Sequence, residues 1–265
     1  MRFFVFSTMK AGTMFLHQLL ADIAEQGQIT HYSLNYPQDS PFHLPSENKV
    51  DLANLVDKEG CYGPFRHYFP VPKADDVRVI LHFRDPRDVL TSMYFYLAYH
   101  QKFIPQEVRD TYIKRGIDRF VFSPRLPESK SWQQRTKQRV KRVLNLDNPP
   151  TITDWFLQDY QMYFDQYMNW EQTTVITYEE MVTDFPSWLP KFLSALSLEN
   201  QPQLLQQLLA AHKDSFTPPS PDSLDKIKHK RKIVPGDHKQ QMSAQTITKL
   251  NNIFSKQLSA IGYQP

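Results

Sequence analysis

Apolar positions along the chain follow two rhythms. Four short runs, residues 2–6, 61–65, 77–83 and 173–177, read as buried strands by their length and apolar content. Three of them are followed by stretches with apolar residues three and four apart, at 13–24, 86–97 and 179–196, the last interrupted by Pro186 and Pro190. Strand–helix alternation predicts an α/β fold with a central, mainly parallel sheet flanked by helices. Ligands of such sheets bind beyond the carboxyl ends of the strands. Residues 7–13, Arg66 and His67, residues 84–88 and Tyr178 all fall at that edge, so the chemistry is expected there.

Two stretches break the pattern. Residues 101–150 are rich in proline and basic residues, and between 129 and 146 there are six basic residues and no acidic one. Such a stretch reads either as a solvated basic helix or loop, or as a surface for an acidic substrate or a membrane. A second basic run, KIKHKRK, lies at 226–232.

Composition narrows the class. With 265 residues, 40% hydrophobic and 22% charged, the chain has ordinary globular content, and a single domain over residues 1–265 is the simplest organisation, with 101–150 as an insertion or acceptor-side segment. A net charge of +3 suits an anionic ligand but does not by itself point to nucleic acid. Cys61 is alone and cannot form an internal disulfide. Strand-like sequence begins at residue 2, leaving no room for a secretory leader, and no apolar run approaches the roughly 20 residues of a membrane span. A cytoplasmic protein with no integral membrane segment is expected. The nine histidines show no metal-ligand spacing such as H-E-x-x-H, and no metal site is indicated.

The opening stretch, MRFFVFSTMKAGTMFL, carries the first chemical signal. A strand, a short turn containing Gly12 and then a helix form the geometry that cradles phosphate. Unsatisfied N–H groups point outward at the helix start, and the helix dipole favours an anion there. Gly12 permits close backbone approach, and Thr13 offers a hydroxyl. A nucleoside-triphosphatase loop would need G-x-x-x-x-G-K-[ST], with its lysine after the second glycine. Here Lys10 precedes Gly12 and no glycine comes earlier, so this is not that loop. An ordinary tight turn with an exposed lysine is the bland alternative.

STMKAGTMFL resembles the P-K-S-G-T-T-W-L loop of the cytosolic sulfotransferases, which holds the 5′-phosphosulfate of 3′-phosphoadenosine 5′-phosphosulfate (PAPS). Lys10, Gly12, Thr13 and Leu16 match, while Met9, Ala11, Met14 and Phe15 depart, Phe15 standing where the family has a tryptophan near the adenine. VILHFRDPRDVLTSMYFY resembles the second signature of that family, and the resemblance assigns Arg84 and Ser92 to the 3′-phosphate. Asp85 can cap the helix that follows, Pro86 suits its first position and Asp88 its first turn. A structural network among Arg84, Asp85, Arg87 and Asp88 is the alternative reading. TTVITYEEMVTDFP resembles a third motif, placing Tyr178 near the adenine. RKIVPGDHKQQMS resembles R-K-G-x-x-G-D-W-K-x-x-F-[ST], with Arg231, Lys232, Gly236, Asp237 and Lys239 in step, Ile233 replacing a glycine and His238 a tryptophan. Just upstream, Phe216 resembles the phenylalanine that covers the adenine.

The resemblance implies a P-loop-like sulfotransferase fold and direct in-line transfer of a sulfuryl group from PAPS to an acceptor hydroxyl, less readily an amine. Adenosine 3′,5′-bisphosphate (PAP) is then the other product. It implies that Lys10 meets the charge developing on the departing phosphate, within a cradle of Ala11, Gly12, Thr13, Met14 and Phe15. The base of the family is a strand-end histidine, and FRHYFPVP offers His67 at that place. His82 is a rival that its strand position marks as buried; His43 and, more remotely, Glu59 stay open. Small molecule, lipid, carbohydrate and peptide all remain possible acceptors. Two other classes compete: a non-catalytic polyanion- or membrane-binding module on the same fold, and an ATP-using small-molecule kinase. The aromatic run Trp155, Phe156, Tyr160, Tyr163, Phe164, Tyr167 and Trp170 has helical spacing and reads as core rather than pocket.

Overall fold

Five strands, β1 (Arg2–Ser7), β2 (His31–Tyr32), β3 (Gly60–Phe65), β4 (Val77–Phe83) and β5 (Thr173–Thr177), lie side by side in the order β2-β3-β1-β4-β5. The computed structural model describes residues 1–44, 58–100, 104–126, 150–217 and 233–264. All strand pairs are parallel: Arg2 to Ser7 run beside Val77 to His82, and Val79 to Phe83 beside Thr173 to Thr177. The carboxyl ends of β1, β3, β4 and β5 therefore share one edge. The described residues fall into two compact units, Met1–Asp85 with Asp159–Thr217, and Pro86–Gln158 with Pro218–Pro265.

The first unit contains the whole sheet. Its central strand alternates between two apolar faces, as the two-residue period of a strand requires. Phe3 and Val5 join a cluster with Leu16, Leu19, Leu20 and Ile23 of helix α1 (Thr13–Glu25). The same cluster takes in residues of α5 (Tyr178–Thr183), α6 (Phe185–Ala195) and α7 (Pro202–His212). Phe4 and Phe6 face the other way, and Phe6 meets Tyr163 and Tyr167 of α4 (Ile152–Gln166) or the turn after it at 5.6 and 5.4 Å. Five rings of the aromatic run are core as expected, Phe156, Tyr160, Tyr163, Phe164 and Tyr167, while Trp155 and Trp170 are half-buried.

The stretch after β5 is two helices. Asp184 separates them and accepts from the Ser187 N–H as the cap of α6, with Pro186 in the first turn, where its missing N–H costs nothing. Thr177 caps α5 in the same way.

The second unit carries α2 (Pro86–Phe95), α3 (Gln106–Val121) and, near the end of the chain, α8 (His238–Gln241), α9 (Ala244–Ile253) and α10 (Ser255–Ile261). The helix expected to reach residue 97 leaves α geometry at Phe95 and continues as a π-helical turn, Tyr96–His100. Arg87 and Asp88 make structural bonds, to partners outside the group of four residues that the sequence put together. Arg87 donates to Asn251 Oδ1 and to the Gln264 carbonyl, both at 2.7 Å. Asp88, 1% exposed, accepts from the backbone N–H groups of Gly236 and His238 and pairs with His238 Nδ1 at 2.7 Å.

Candidate functional site

The site grows out of the turn between β1 and α1. Ser7 ends the strand with its hydroxyl buried 3.3 Å from Thr13 Oγ1. The Thr8 N–H donates to the His82 carbonyl, and Thr8 Oγ1 accepts from the Arg84 N–H at 3.2 Å, so the ends of β1 and β4 are tied together. The chain then turns through the left-handed region twice, at Lys10 (φ 63°) and Gly12 (φ 78°). For a lysine that conformation costs about 1–2 kcal/mol. Gly12 is also confined: a Cβ there would lie 3.0 Å from Met181 Cε and 3.4 Å from the Tyr178 ring. It stands as the N-cap of α1 without a side-chain cap, leaving the leading N–H groups of the helix facing out of the turn.

Arg84, 5% exposed at the end of β4, holds this turn in place. One of its guanidinium nitrogens donates to the Lys10 carbonyl at 2.6 Å, and the guanidinium lies 4.3 Å from the centre of the Tyr178 ring. Its own carbonyl accepts from the Tyr160 hydroxyl. Arg84 Nε is buried without a hydrogen-bond partner among the described residues. Lys10 feels the crowding of cations. Burial, then the charges of Arg84 and Arg66, bring its pKa down from 10.5 to about 8.

Arg66 is the member of this group that the sequence placed at the edge without giving it a role. It follows β3 directly and reaches Met14 Sδ with a guanidinium nitrogen at 3.7 Å. Its only signal was its place between the strand and His67. His67 itself is exposed just beyond β3.

The rival bases are placed elsewhere. His82 is fully buried in β4, edge-on to Trp188, and burial pushes its pKa down to about 3, which leaves it neutral and a poor proton acceptor at pH 7. His43 Nδ1 bonds the Tyr36 carbonyl at 2.7 Å. Glu59 precedes β3, at the amino end of the strand, and pairs with the amine of Met1.

A cluster of rings stands beside the turn. Phe15 meets Phe216 at 4.6 Å, His212 at 5.2 Å and Phe185 at 5.7 Å, all edge to face. The structure thus brings Lys10, Ala11, Gly12, Thr13, Met14, Phe15, Arg84, Tyr178 and Phe216 together in the first unit. Ser92 is half-buried on α2 in the second unit. Arg231 and Lys232 lie outside the described residues.

The model of the sulfotransferase domain family matches residues 1–262, across both units. The chain is similar to a crystal structure of mouse sulfotransferase SULT7A1 complexed with PAP, with a TM-score of 0.54 and 18% identity over 97% of this chain and 84% of that one. It is also similar to retinol dehydratase in complex with androsterone and inactive cofactor PAP, with a TM-score of 0.51 and 13% identity over 100% of this chain and 82% of that one. The sequence matches no curated protein. Among the described residues, no helix is long and apolar enough to cross a membrane.

Proposed function

The chain belongs to the sulfotransferase family, and from that premise we propose that it takes its sulfuryl group from PAPS and delivers it to an acceptor hydroxyl. The observation that carries the donor-site reading is the β1–α1 turn. Its left-handed Lys10 and Gly12, uncapped helix start and Arg84 clamp gather positive charge and N–H donors around one point. The 5′-phosphosulfate belongs over this turn. Phe15, Tyr178 and Phe216 then offer aromatic surface to the base, and Arg84, Ser92, Arg231 and Lys232 serve the 3′-phosphate.

In the reaction the acceptor oxygen attacks sulfur in line with the bond to the bridging phosphate oxygen. One S–O bond forms, the other breaks, and PAP leaves with the electron pair. There is no covalent intermediate on the enzyme. The acceptor proton passes to His67, whose exposed position beyond β3 keeps it accessible to an incoming hydroxyl. Lys10 stabilises the charge that develops on the leaving phosphate, a point-charge task suited to an ammonium on a flexible stem. Acceptors as different as a small molecule, lipid, carbohydrate or peptide hydroxyl fit this chemistry. The fully buried thiol of Cys61 is compatible with a cytoplasmic, reducing setting.

A thermal-shift titration with PAP beside ATP and AMP, on wild type and Arg84→Ala, tests the proposal. A ligand at 100 times its Kd adds about 2.7 kcal/mol, a rise of a few degrees or more for a chain of this size. The expected outcome is a shift with PAP alone, lost in Arg84→Ala. No shift at millimolar PAP would replace this reading with that of a non-catalytic binding module.

A further inference from the structure

The rings around Phe15 are fixed by a polar pair for which the transfer itself has no use. Asp22 lies two turns beyond Phe15 on α1, so both project from the same side of the helix. Its carboxylate accepts from Gln18 Nε2 at 2.7 Å and bonds His212 Nε2 at 2.8 Å. His212 ends α7 and is 8% exposed. An ionised carboxylate only accepts, so the imidazole nitrogen facing it carries the hydrogen and the ring plane is set.

That ring is part of the wall. Its edge contacts Phe15 at 5.2 Å and Phe185 at 6.2 Å, with interplanar angles of 76° and 79°. From His212 the chain leaves the helix in a turn, the Ser215 N–H donating to the His212 carbonyl at 3.0 Å and the Thr217 N–H to the Asp214 carbonyl at 3.3 Å. This turn delivers Phe216, which packs against Phe15 at 4.6 Å and Phe185 at 5.4 Å and remains half-buried. One hydrogen bond between α1 and the end of α7 therefore sets the position of the ring wall from both sides.

We propose that Asp22 and His212 are positioning residues for the nucleoside base, their bond holding Phe216 and Phe15 where a purine can stack. This rests on the donor-site reading above. Phe15 is engaged edge-on by three rings, so it buttresses the wall, and half-buried Phe216 supplies the stacking surface. Loss of the bond frees α7's last turn and loosens the base, while the phosphate contacts of the β1–α1 turn stay in place.

Calorimetric binding of two probes, PAP and base-free ribose 3,5-bisphosphate, tests this on wild type, Asp22→Leu, His212→Phe and Asp22→Asn. His212→Phe keeps the ring and removes only the hydrogen bond, so it carries the test if Asp22→Leu fails to fold. Asp22→Leu and His212→Phe should bind PAP about tenfold more weakly with the base-free probe unchanged. Asp22→Asn keeps an accepting oxygen and should stay within about threefold of wild type. Equal weakening for both probes is what a merely structural pair would give, and it overturns the proposal, as does no weakening. Wild type that binds the base-free probe as tightly as PAP overturns the base role while leaving the donor site standing. Wild type that binds neither overturns the donor-site reading and this inference with it.

Discussion

Two regions of the first unit meet at Arg84 and treat their polar groups in opposite ways. On the α4 side, two hydroxyls of a crowded aromatic face are turned to backbone partners. Tyr160 donates to the Arg84 carbonyl, and Tyr167 donates to the Phe69 carbonyl and accepts from the Val71 N–H at 3.0 Å. On the other side, at the β1–α1 turn, Lys10 sits in left-handed backbone and its ammonium is destabilised by burial and two neighbouring guanidinium groups. The first region ties these two hydroxyls to the backbone and contributes stability. The second concentrates backbone strain and like charge at a point where an incoming anion would relieve the repulsion. Arg84 belongs to both, its carbonyl to the core and its guanidinium to the turn.

The largest effect should come from emptying the charged side. Lys10→Met and His67→Ala should each lower turnover by about 10²–10³-fold in steady-state kinetics, with the melting temperature of Lys10→Met no lower than wild type. A marked loss of stability in Lys10→Met would show that the turn, like the aromatic side, is built to stabilise the fold, and the contrast would collapse.

Acidity sharpens the comparison next. Below pH about 8 Lys10 is protonated and attracts the bisphosphate; above it the charge is lost. PAP affinity should therefore weaken by up to about tenfold per unit as pH rises past that value, and Lys10→Arg should flatten the profile. Stability without ligand should move the opposite way. The folded pKa lies below the unfolded 10.5, so the folded state binds fewer protons than the unfolded one between about 8 and 10.5, and this group adds stability as pH climbs through that window. A pH series of PAP titrations and melting curves reads both signs.

The smallest effect belongs to the aromatic side. Tyr160→Phe should lower unfolding free energy by about 1 kcal/mol in urea denaturation, the net worth of one buried hydrogen bond. Turnover should fall far less than in Lys10→Met. A drop in turnover as large as that of Lys10→Met would mean that the phenol positions Arg84 for the reaction and is not simply part of the core.

Much of this was legible before any coordinates. Runs of apolar residues in β1, β3 and β4 announced buried parallel strands, because a strand covered on both faces has few polar positions to spare. The same reading failed for β5, which lies at the edge of the sheet with only Ile176 buried. Strand–helix alternation pointed to the edge where the proposed donor site lies, and local motifs marked Lys10, Gly12, Arg84, Tyr178 and Phe216 for it, since a turn that cradles an anion needs particular residues close together in sequence. The two-residue strand β2 and the π-helical turn after Phe95 left no periodic trace, being shorter than the window a pattern needs.

What only the tertiary structure decided are the contacts between distant segments. Arg84 donates to a carbonyl 74 residues away, Arg66 depresses the pKa of Lys10 from 56 residues away, and His212 reaches Asp22 over 190 residues. Sequence pattern records what each segment must bury along its own length. It carries no record of which donor will face which acceptor once the segments stack, because that depends on the packing distance and rotation of whole elements. So the sequence determined that a tight strand–turn–helix exists and where it lies in the chain. Folding determined that its lysine is crowded by two arginines and that a histidine at the end of α7 stands behind its aromatic wall.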